Sequence, residues 1–455
     1  MNNPPQKLGK DFTNFEISGR GFLLGQLRVP GDKSISHRAI MLGAISEGTT
    51  EIEGFLEGED SLATLRAFRA MGVQIEGPHN GRVTIQGVGL YGLQAPTEPL
   101  DLGNSGTSMR LMAGLLAGQS FDSVLVGDAS LSRRPMRRVI DPLSKMGAII
   151  EATAQGTAPL RIRGNPNLQG IDYLSPVASA QVKSAILFAG LYATGETSVS
   201  EPAPSRDHTE RMLSGFGYSI KHEGRKVSLV GRGELRATRI EVPADISSAA
   251  FFLVGASICP GSELVLEHVG INPTRIGILH ILEAMGASIE IRNKRIVGGE
   301  PVAEIFVRYA PLHGIVVRPE WVPLAIDEFP AIFVAAACAE GETRVTDAAE
   351  LRVKESDRIQ AMADGLRTLG IEATPLPDGM VVQGGVFSEG TIDSHGDHRI
   401  AMAFTMAGLR AQGPLQISDC ANVNTSFPGF AELVKVVANG SYTVENISFR
   451  QKQEK

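Results

Sequence analysis

Leu65-Arg-Ala-Phe-Arg-Ala-Met71-Gly72-Val-Gln-Ile75 reads as the end of a helix, a glycine stop and the start of a strand. The phrase returns at Met146-Gly147-Ala-Ile-Ile, Phe216-Gly217-Tyr-Ser-Ile, Met285-Gly286-Ala-Ser-Ile and Leu369-Gly370-Ile-Glu-Ala. A sixth copy is expected at Phe430 to Val437. The glycines lie 75, 70, 69 and 84 residues apart, which is repetition of one supersecondary unit. Each suits the left-handed position after a helix, where a side chain would be strained.

A second phrase interleaves with the first: a small or polar start, a mostly apolar run, then glycine. Its copies begin near Ser34, Ser105, Gln181, Ile246, Asp327 and Asp397, and end near Gly48, Gly118, Gly195, Gly261, Gly341 and Gly413. Runs such as Ala331-Ile-Phe-Val-Ala-Ala-Ala-Cys-Ala339 are apolar on nearly every face, so these helices should be buried. Alternating, β-branched stretches lie between them, for example Arg82-Val-Thr-Ile-Gln86 and Arg225-Lys-Val-Ser-Leu-Val230. Six units of about 70 residues, each with two helices and several strands, fill the chain. Pro30-Gly31-Asp32 and Val242-Pro243-Ala244-Asp245 stand three units apart and mark a double hinge. The division that follows is an α/β (α+β) chain of two similar domains, 31–243 and 244–455. A strand from 16–30 completes the second.

Composition limits the partners. The 455 residues include 51 glycines, above the ~7% of an average chain, and carry a net charge of −7. An acidic whole argues against binding nucleic acid or an anionic membrane surface, so an anionic ligand needs a local cluster of cations. Cys259, Cys338 and Cys420 are too few and scattered for a disulfide framework and suit a reducing, cytoplasmic setting. Met1 to Phe15 has no apolar core of a secretory signal, and Ala249 to Cys259 falls short of the ~18–20 residues of a membrane span.

Such a cluster is present. The buried-helix starts carry Lys33, Ser34 and Arg38; Gly106 and Arg110; Ser179 to Lys183; Asp327 and Glu328; and Asp397 to Arg399. Arg133-Arg134-Pro135, Arg206-Asp-His-Thr-Glu210 and Lys354-Glu-Ser-Asp-Arg358 add cations on expected loops and helix starts. Helix N-termini with arginines beside them attract phosphate and carboxylate groups. Taken singly, Ser34, Ser105 and Asp327 are ordinary N-cap residues and most of the cations ordinary surface charges; the constellation carries the reading. A phosphate-binding Gly-x-x-x-x-Gly-Lys-Ser/Thr loop, a dinucleotide fingerprint and a nucleophile elbow are all missing. His395 and His398 share an i,i+3 spacing but have no Cys or third His nearby, so no metal site is expected.

The motifs together resemble the 5-enolpyruvylshikimate-3-phosphate synthase family, in its bacterial class II form. They run from about Gly25 to Pro428 and include Pro30-Gly-Asp-Lys-Ser-Ile-Ser-His-Arg38, Gly103-Asn-Ser-Gly-Thr107 and Arg134-Pro-Met136. Ser179-Ala-Gln-Val-Lys183, Asn272-Pro-Thr-Arg275, Arg352-Val-Lys-Glu-Ser-Asp-Arg358 and Asp397-His-Arg-Ile-Ala-Met402 follow in order. The resemblance implies the enolpyruvyl transferase fold, two domains of three βαββαβ-type units, closing as a monomer over shikimate 3-phosphate and phosphoenolpyruvate with no metal or organic cofactor. It places Lys33, Ser34, Arg38, Ser179, Ala180, Gln181, Arg206, Asp327 and Lys354 on shikimate 3-phosphate. Lys33, Gly106, Arg134, Gln181, Arg358 and Arg399 fall on phosphoenolpyruvate. Asp327 is implied as the base on the 5-hydroxyl and Glu355 as proton donor to C3, with Lys33 assisting.

Two departures stand out. Asn424-Thr425-Ser426-Phe427-Pro428 lacks a lysine many members carry, removing one phosphoenolpyruvate contact. Gly106 stands where glyphosate-tolerant relatives have Ala, so competition by glyphosate against phosphoenolpyruvate is expected. Two other readings are weighed: a UDP-N-acetylglucosamine enolpyruvyl transferase, which uses a loop cysteine, and a non-catalytic protein that binds phosphorylated metabolites. No cysteine here sits in an expected loop beside the cations, and binding alone has no need of Asp327 and Glu355.

Overall fold

The computed structural model describes residues 11–450, so the Met1–Lys10 tail and the last five residues of the Ser448–Lys455 tail lie outside the described residues. Gly72, Gly147, Gly217, Gly286 and Gly370 all follow helices and all have φ between 81° and 95°. In each case the N–H of the next residue donates to the carbonyl five positions back, at 2.9–3.2 Å. That bond closes the last helical turn and aims the chain into its strand. The sixth copy, Phe430–Val437, is also a helix but runs into extended backbone at Ala438 with no glycine stop.

The strands form six sheets among the described residues. Five share one plan, a parallel pair followed by two antiparallel neighbours; in three the pair is joined through a buried helix, and in the other two it brings Arg239–Glu241 to Glu47–Glu53 and Glu263–Gly270 to Gly21–Leu27. In the other, Glu342–Val345 keeps only a single parallel bridge, between Val316 and Arg344. The N-terminal strands Asp11–Ser18 and Gly21–Leu27 pair with Leu415–Ser418 and Glu263–Gly270, hundreds of residues away.

Six buried helices run along the inside of these sheets: Lys33–Ile45, Gly106–Ala117, Ala180–Gly190, Ile246–Ile258, Phe329–Ala337 and His398–Ala407. Gly114 allows the second to approach the third, because a Cβ there would collide with the Ala185 carbonyl. Most stop short of the glycines expected to end them. Gly48, Gly195, Gly261 and Gly341 have positive φ and lie at or beside the start of the next strand instead. The N-cap of the first helix is Asp32 rather than Ser34, and the fifth begins at Phe329, two residues past Asp327. None of the described helices is long and apolar enough to cross a membrane.

Buried apolar side chains fall into two clusters. One runs from Ile35 to Val242; the other joins Phe15, Ile17, Leu23, Leu27 and Val29 to residues from Ala244 onward. The chain crosses between them at 30–32 and at 242–245, and the crossings are tied together. Asp32 N–H donates to Pro243 O (2.8 Å) and Asp245 N–H to Pro30 O (2.9 Å).

Beside this crossing lies Arg275, 2% exposed at its side chain, with Asp32 at 2.8 Å, Asp245 at 3.1 Å and Ser247 Oγ at 2.6 Å. Each aspartate also caps a buried helix, Asp32 through Ile35 N–H and Asp245 through Ser247 N–H. Burial works to raise the Asp32 carboxyl, but Arg275 and then His208 outweigh it and hold it well below the usual carboxylate range. Such a depressed group adds stability in full above its ordinary value of 3.8 and loses it as the pH falls through the folded value.

Arg275→Met should strand two buried carboxylates and lower the unfolding free energy in urea by roughly 3–5 kcal/mol at pH 7. It should also weaken the decline in stability below about pH 4. A loss near zero, with the acid dependence intact, would show that Arg275 does not hold the crossing.

Candidate active site

The starts of the buried helices from both clusters converge on one cleft. Its lining has eight cationic side chains, Lys33, Arg110, Arg134, Arg138, Arg206, Arg275, Lys354 and Arg399, against four carboxylates, Asp60, Asp245, Asp327 and Glu355. In a chain of net charge −7 this is a concentrated reversal of sign.

Lys33 opens its helix because Asp32 caps it, and its ammonium reaches Asp60 at 3.0 Å. Gly106 opens the next helix behind its cap Ser105. A Cβ on Gly106 would stand 2.7 Å from Arg110 Nη1 and 3.1 Å from Arg134 Nη1, so the missing side chain is what admits both guanidinium groups. Arg110 donates to Gln181 Oε1 at 2.7 Å, and Gln181 donates in turn to Thr107 Oγ1 at 3.1 Å. Arg134 is held by Asn104 Oδ1 at 2.5 Å. The Arg399 guanidinium, though only 8% of the residue is exposed, makes no ion pair among the described residues.

Both candidate catalytic carboxylates are gripped from the two sides of the cleft. Asp327 pairs with Arg206 at 2.5 Å across the cleft, and with Lys354 (3.3 Å) and Arg358 (3.5 Å) on its own side. Glu355 pairs with Arg134 at 3.5 Å across the cleft and with Arg358 at 2.6 Å beside it. Burial favours the protonated form of each. For Asp327 this is outweighed by Lys354, then Arg206, Arg399 and Arg358; for Glu355 by Arg358, then Arg134, His398 and Lys33. Both are therefore carboxylates at neutral pH, well below their usual range. Asp60 differs: burial, with Glu355 adding to it, raises its carboxyl despite Lys33.

Of the residues the resemblance assigns to substrates or catalysis, ten line the cleft, namely Lys33, Ser34, Gly106, Arg134, Gln181, Arg206, Asp327, Lys354, Glu355 and Arg399, and Arg110 from the second helix joins them. Arg38, Ser179, Ala180 and Arg358 stand outside the lining. Arg38 is turned into the protein, where it donates to Thr209 Oγ1, Ser184 Oγ and the Ser34 carbonyl. Ser179 caps the Ala180–Gly190 helix. Arg358 lies directly behind the carboxylates, braced by Asp397 at 2.8 Å.

Other lining residues were not singled out for chemistry: Asp60, Thr107, Arg138, Ser247, Val353 and His398. His398 had figured only as half of a metal pair. It is buried and lines the cleft, whereas His395 is about half exposed and pairs with Asp393. Burial, Lys33 and Arg399 hold the His398 imidazole well below its usual value, so it is neutral at pH 7. The three cysteines are free, with Cys259 and Cys420 buried in the core and Cys338 at the end of a buried helix. Burial pushes the Cys338 thiol up to about 12, the reverse of a reactive loop cysteine. The turn Ala421–Thr425 contributes nothing to the cleft lining.

Residues 17–434 match the family model of EPSP synthase (3-phosphoshikimate 1-carboxyvinyltransferase). The chain is 69% identical over 420 residues to the 3-phosphoshikimate 1-carboxyvinyltransferase of Alkalilimnicola ehrlichii, covering 92% of this chain and 94% of the relative. To that of Nitrosococcus oceani it is 66% identical, covering 94% and 97%. Among solved structures, EPSP synthase from Acinetobacter baumannii superposes with a TM-score of 0.85 at 58% identity, over 96% of this chain and all of that one. The enolpyruvyl transferase NikO from Streptomyces tendae has the same fold, with a TM-score of 0.77 at 16% identity over 97% of this chain and all of that one.

Proposed function

The chain belongs to the EPSP synthase family, and we propose that Asp327 and Glu355 are the base and acid with which its cleft performs that family's carboxyvinyl transfer. The reaction joins phosphoenolpyruvate to the 5-hydroxyl of shikimate 3-phosphate and releases inorganic phosphate, a step in aromatic amino acid biosynthesis. The observation that carries the assignment is the pair of carboxylates, each bridged by cations from both sides of one cation-rich cleft.

In the addition step the 5-hydroxyl oxygen bonds to C2 of phosphoenolpyruvate as its proton passes to Asp327. A proton from Glu355 reaches C3, with Lys33 nearby. In the elimination the bond from C2 to the phosphate oxygen breaks, its electron pair leaving with the phosphate, C3 returns a proton to the Glu355 carboxylate, and the double bond re-forms. A base at one end and an acid at the other is what this addition requires. Asp327 is ready as a carboxylate. Glu355 must first gain a proton, and the substrates supply the reason: phosphate and carboxylate groups on Arg134 and Lys33 offset charges that hold its affinity for protons down.

The two substrates repel each other, and the excess of arginine and lysine over carboxylate offsets this while orienting them. Lys33, Ser34, Gln181, Arg206 and Lys354 are assigned to shikimate 3-phosphate, with Arg38, Ser179 and Ala180 behind them. Lys33, Gly106, Arg134, Gln181 and Arg399 are assigned to phosphoenolpyruvate, with Arg358 behind. The proposed working unit is a monomer. Domains at 31–243 and 244–455, with 16–30 joined to the second, agree with the two buried clusters. Three separate free thiols fit a reducing cytoplasm.

Asp327→Ala and Glu355→Ala should each lower turnover at least ~10²-fold with the fold retained, the usual scale for a general acid or base; near-normal phosphate release by either removes that residue from its role. Glyphosate should compete with phosphoenolpyruvate, since Gly106 leaves the backbone bare beside Arg110 and Arg134. An inhibition constant far above the KM for phosphoenolpyruvate would reject that expectation.

A further inference from the structure

Outside the catalytic pairs, an ion pair at the cleft joins the two halves and has no part in the proton transfers above. Arg138 Nη1, on the helix Arg137–Lys145, donates to both carboxylate oxygens of Glu350, at 2.9 and 3.1 Å. Glu350 lies in the short turn Ala349–Val353, immediately before Lys354. The two residues are 212 positions apart and belong to different buried clusters' halves. Glu350 Oε1 is also 3.9 Å from Lys354 Nζ, while the same ammonium stands 3.3 Å from Asp327 Oδ1.

Two carboxylates thus compete for one lysine. Glu350 is four residues before Lys354 and stays within its reach whatever the two halves do. Arg138 reaches Glu350 only when the halves are together. We infer that Arg138 and Glu350 form a closing latch: with Arg138 on both its oxygens, Glu350 competes less for Lys354, which it still faces at 3.9 Å, and the ammonium leans to Asp327 and the bound anion when the cleft is shut. With Arg138 withdrawn, Glu350 regains an unopposed charge and draws Lys354 back. Arg138 and Glu350 are positioning residues acting through Lys354. A guanidinium suits the task because it can hold both oxygens of Glu350 at once.

The latch rests on the carboxyvinyl transfer proposed above, and the test separates the two. Phosphate release is measured for wild type, Arg138→Gln, Glu350→Gln and the double variant, giving kcat/KM for shikimate 3-phosphate alongside melting temperatures. Arg138→Gln should fall about 10-fold and Glu350→Gln stay within about threefold of wild type, while the double variant should recover about threefold of the Arg138→Gln loss, because removing Glu350 relieves the capture of Lys354. A double variant as impaired as Arg138→Gln would overturn the latch, pointing to a direct substrate contact by Arg138. Equal losses in both single variants would reduce the pair to a simple tether, and wild-type activity in Arg138→Gln would leave it without a role. If Arg138→Gln also melts early, activities are compared at a temperature where all four proteins are folded, because removing Glu350 would also relieve a defect caused by its unpaired charge. Wild-type protein that releases no phosphate would remove the underlying transfer reading itself.

Discussion

The ion cluster of Arg275 with Asp32 and Asp245 is the constraint from which the rest of the site follows. Two carboxylates, each capping a buried helix, are brought to one guanidinium at the point where the chain crosses between its halves. Unpaired, either carboxylate would be costly at this degree of burial. Paired, they fix the starts of the helices Lys33–Ile45 and Ile246–Ile258 side by side, and Lys33 N–H even donates across to Asp245 at 3.2 Å. The first helix brings Lys33 and Ser34 to the cleft. Repetition of the same unit sets the remaining helix starts around it.

From that arrangement comes an electrostatic site with its own balance. Asp327 and Glu355 are kept ionised by the cations that would bind substrates, so substrate binding and proton affinity are coupled. As anions arrive, each guanidinium divides its attention between carboxylate and ligand. Asp327 shares Lys354 and Arg206 with the cleft, and Glu355 shares Arg134 with it while Arg358 braces it from behind.

The architecture was legible because it rests on backbone requirements that leave marks in sequence. A glycine at positive φ every 70 or so residues, and helices apolar on all faces, are local signals repeated until they cannot be missed. Where helices begin was less legible. Asp32, not Ser34, caps the first helix because capping depends on which residue leaves helical φ/ψ, and several polar residues there were eligible. The fifth helix starts after Asp327 because Glu328 is drawn inward to Ser247, leaving Asp327 free to meet its cations. A motif also does not tell which way an arginine points. Arg38 and Arg358 sit among site residues in the sequence yet turn toward Thr209 and Asp397. Asp60 and His398 reach the cleft only through tertiary packing, which no spacing announces.

The most direct test of the central claim, that one cleft joins two anions and expels phosphate, is inorganic phosphate release by the purified protein. Shikimate 3-phosphate and phosphoenolpyruvate are supplied together and then each is left out in turn. Release that requires both substrates is the expected result. Release from phosphoenolpyruvate alone, or none with both present, would contradict it.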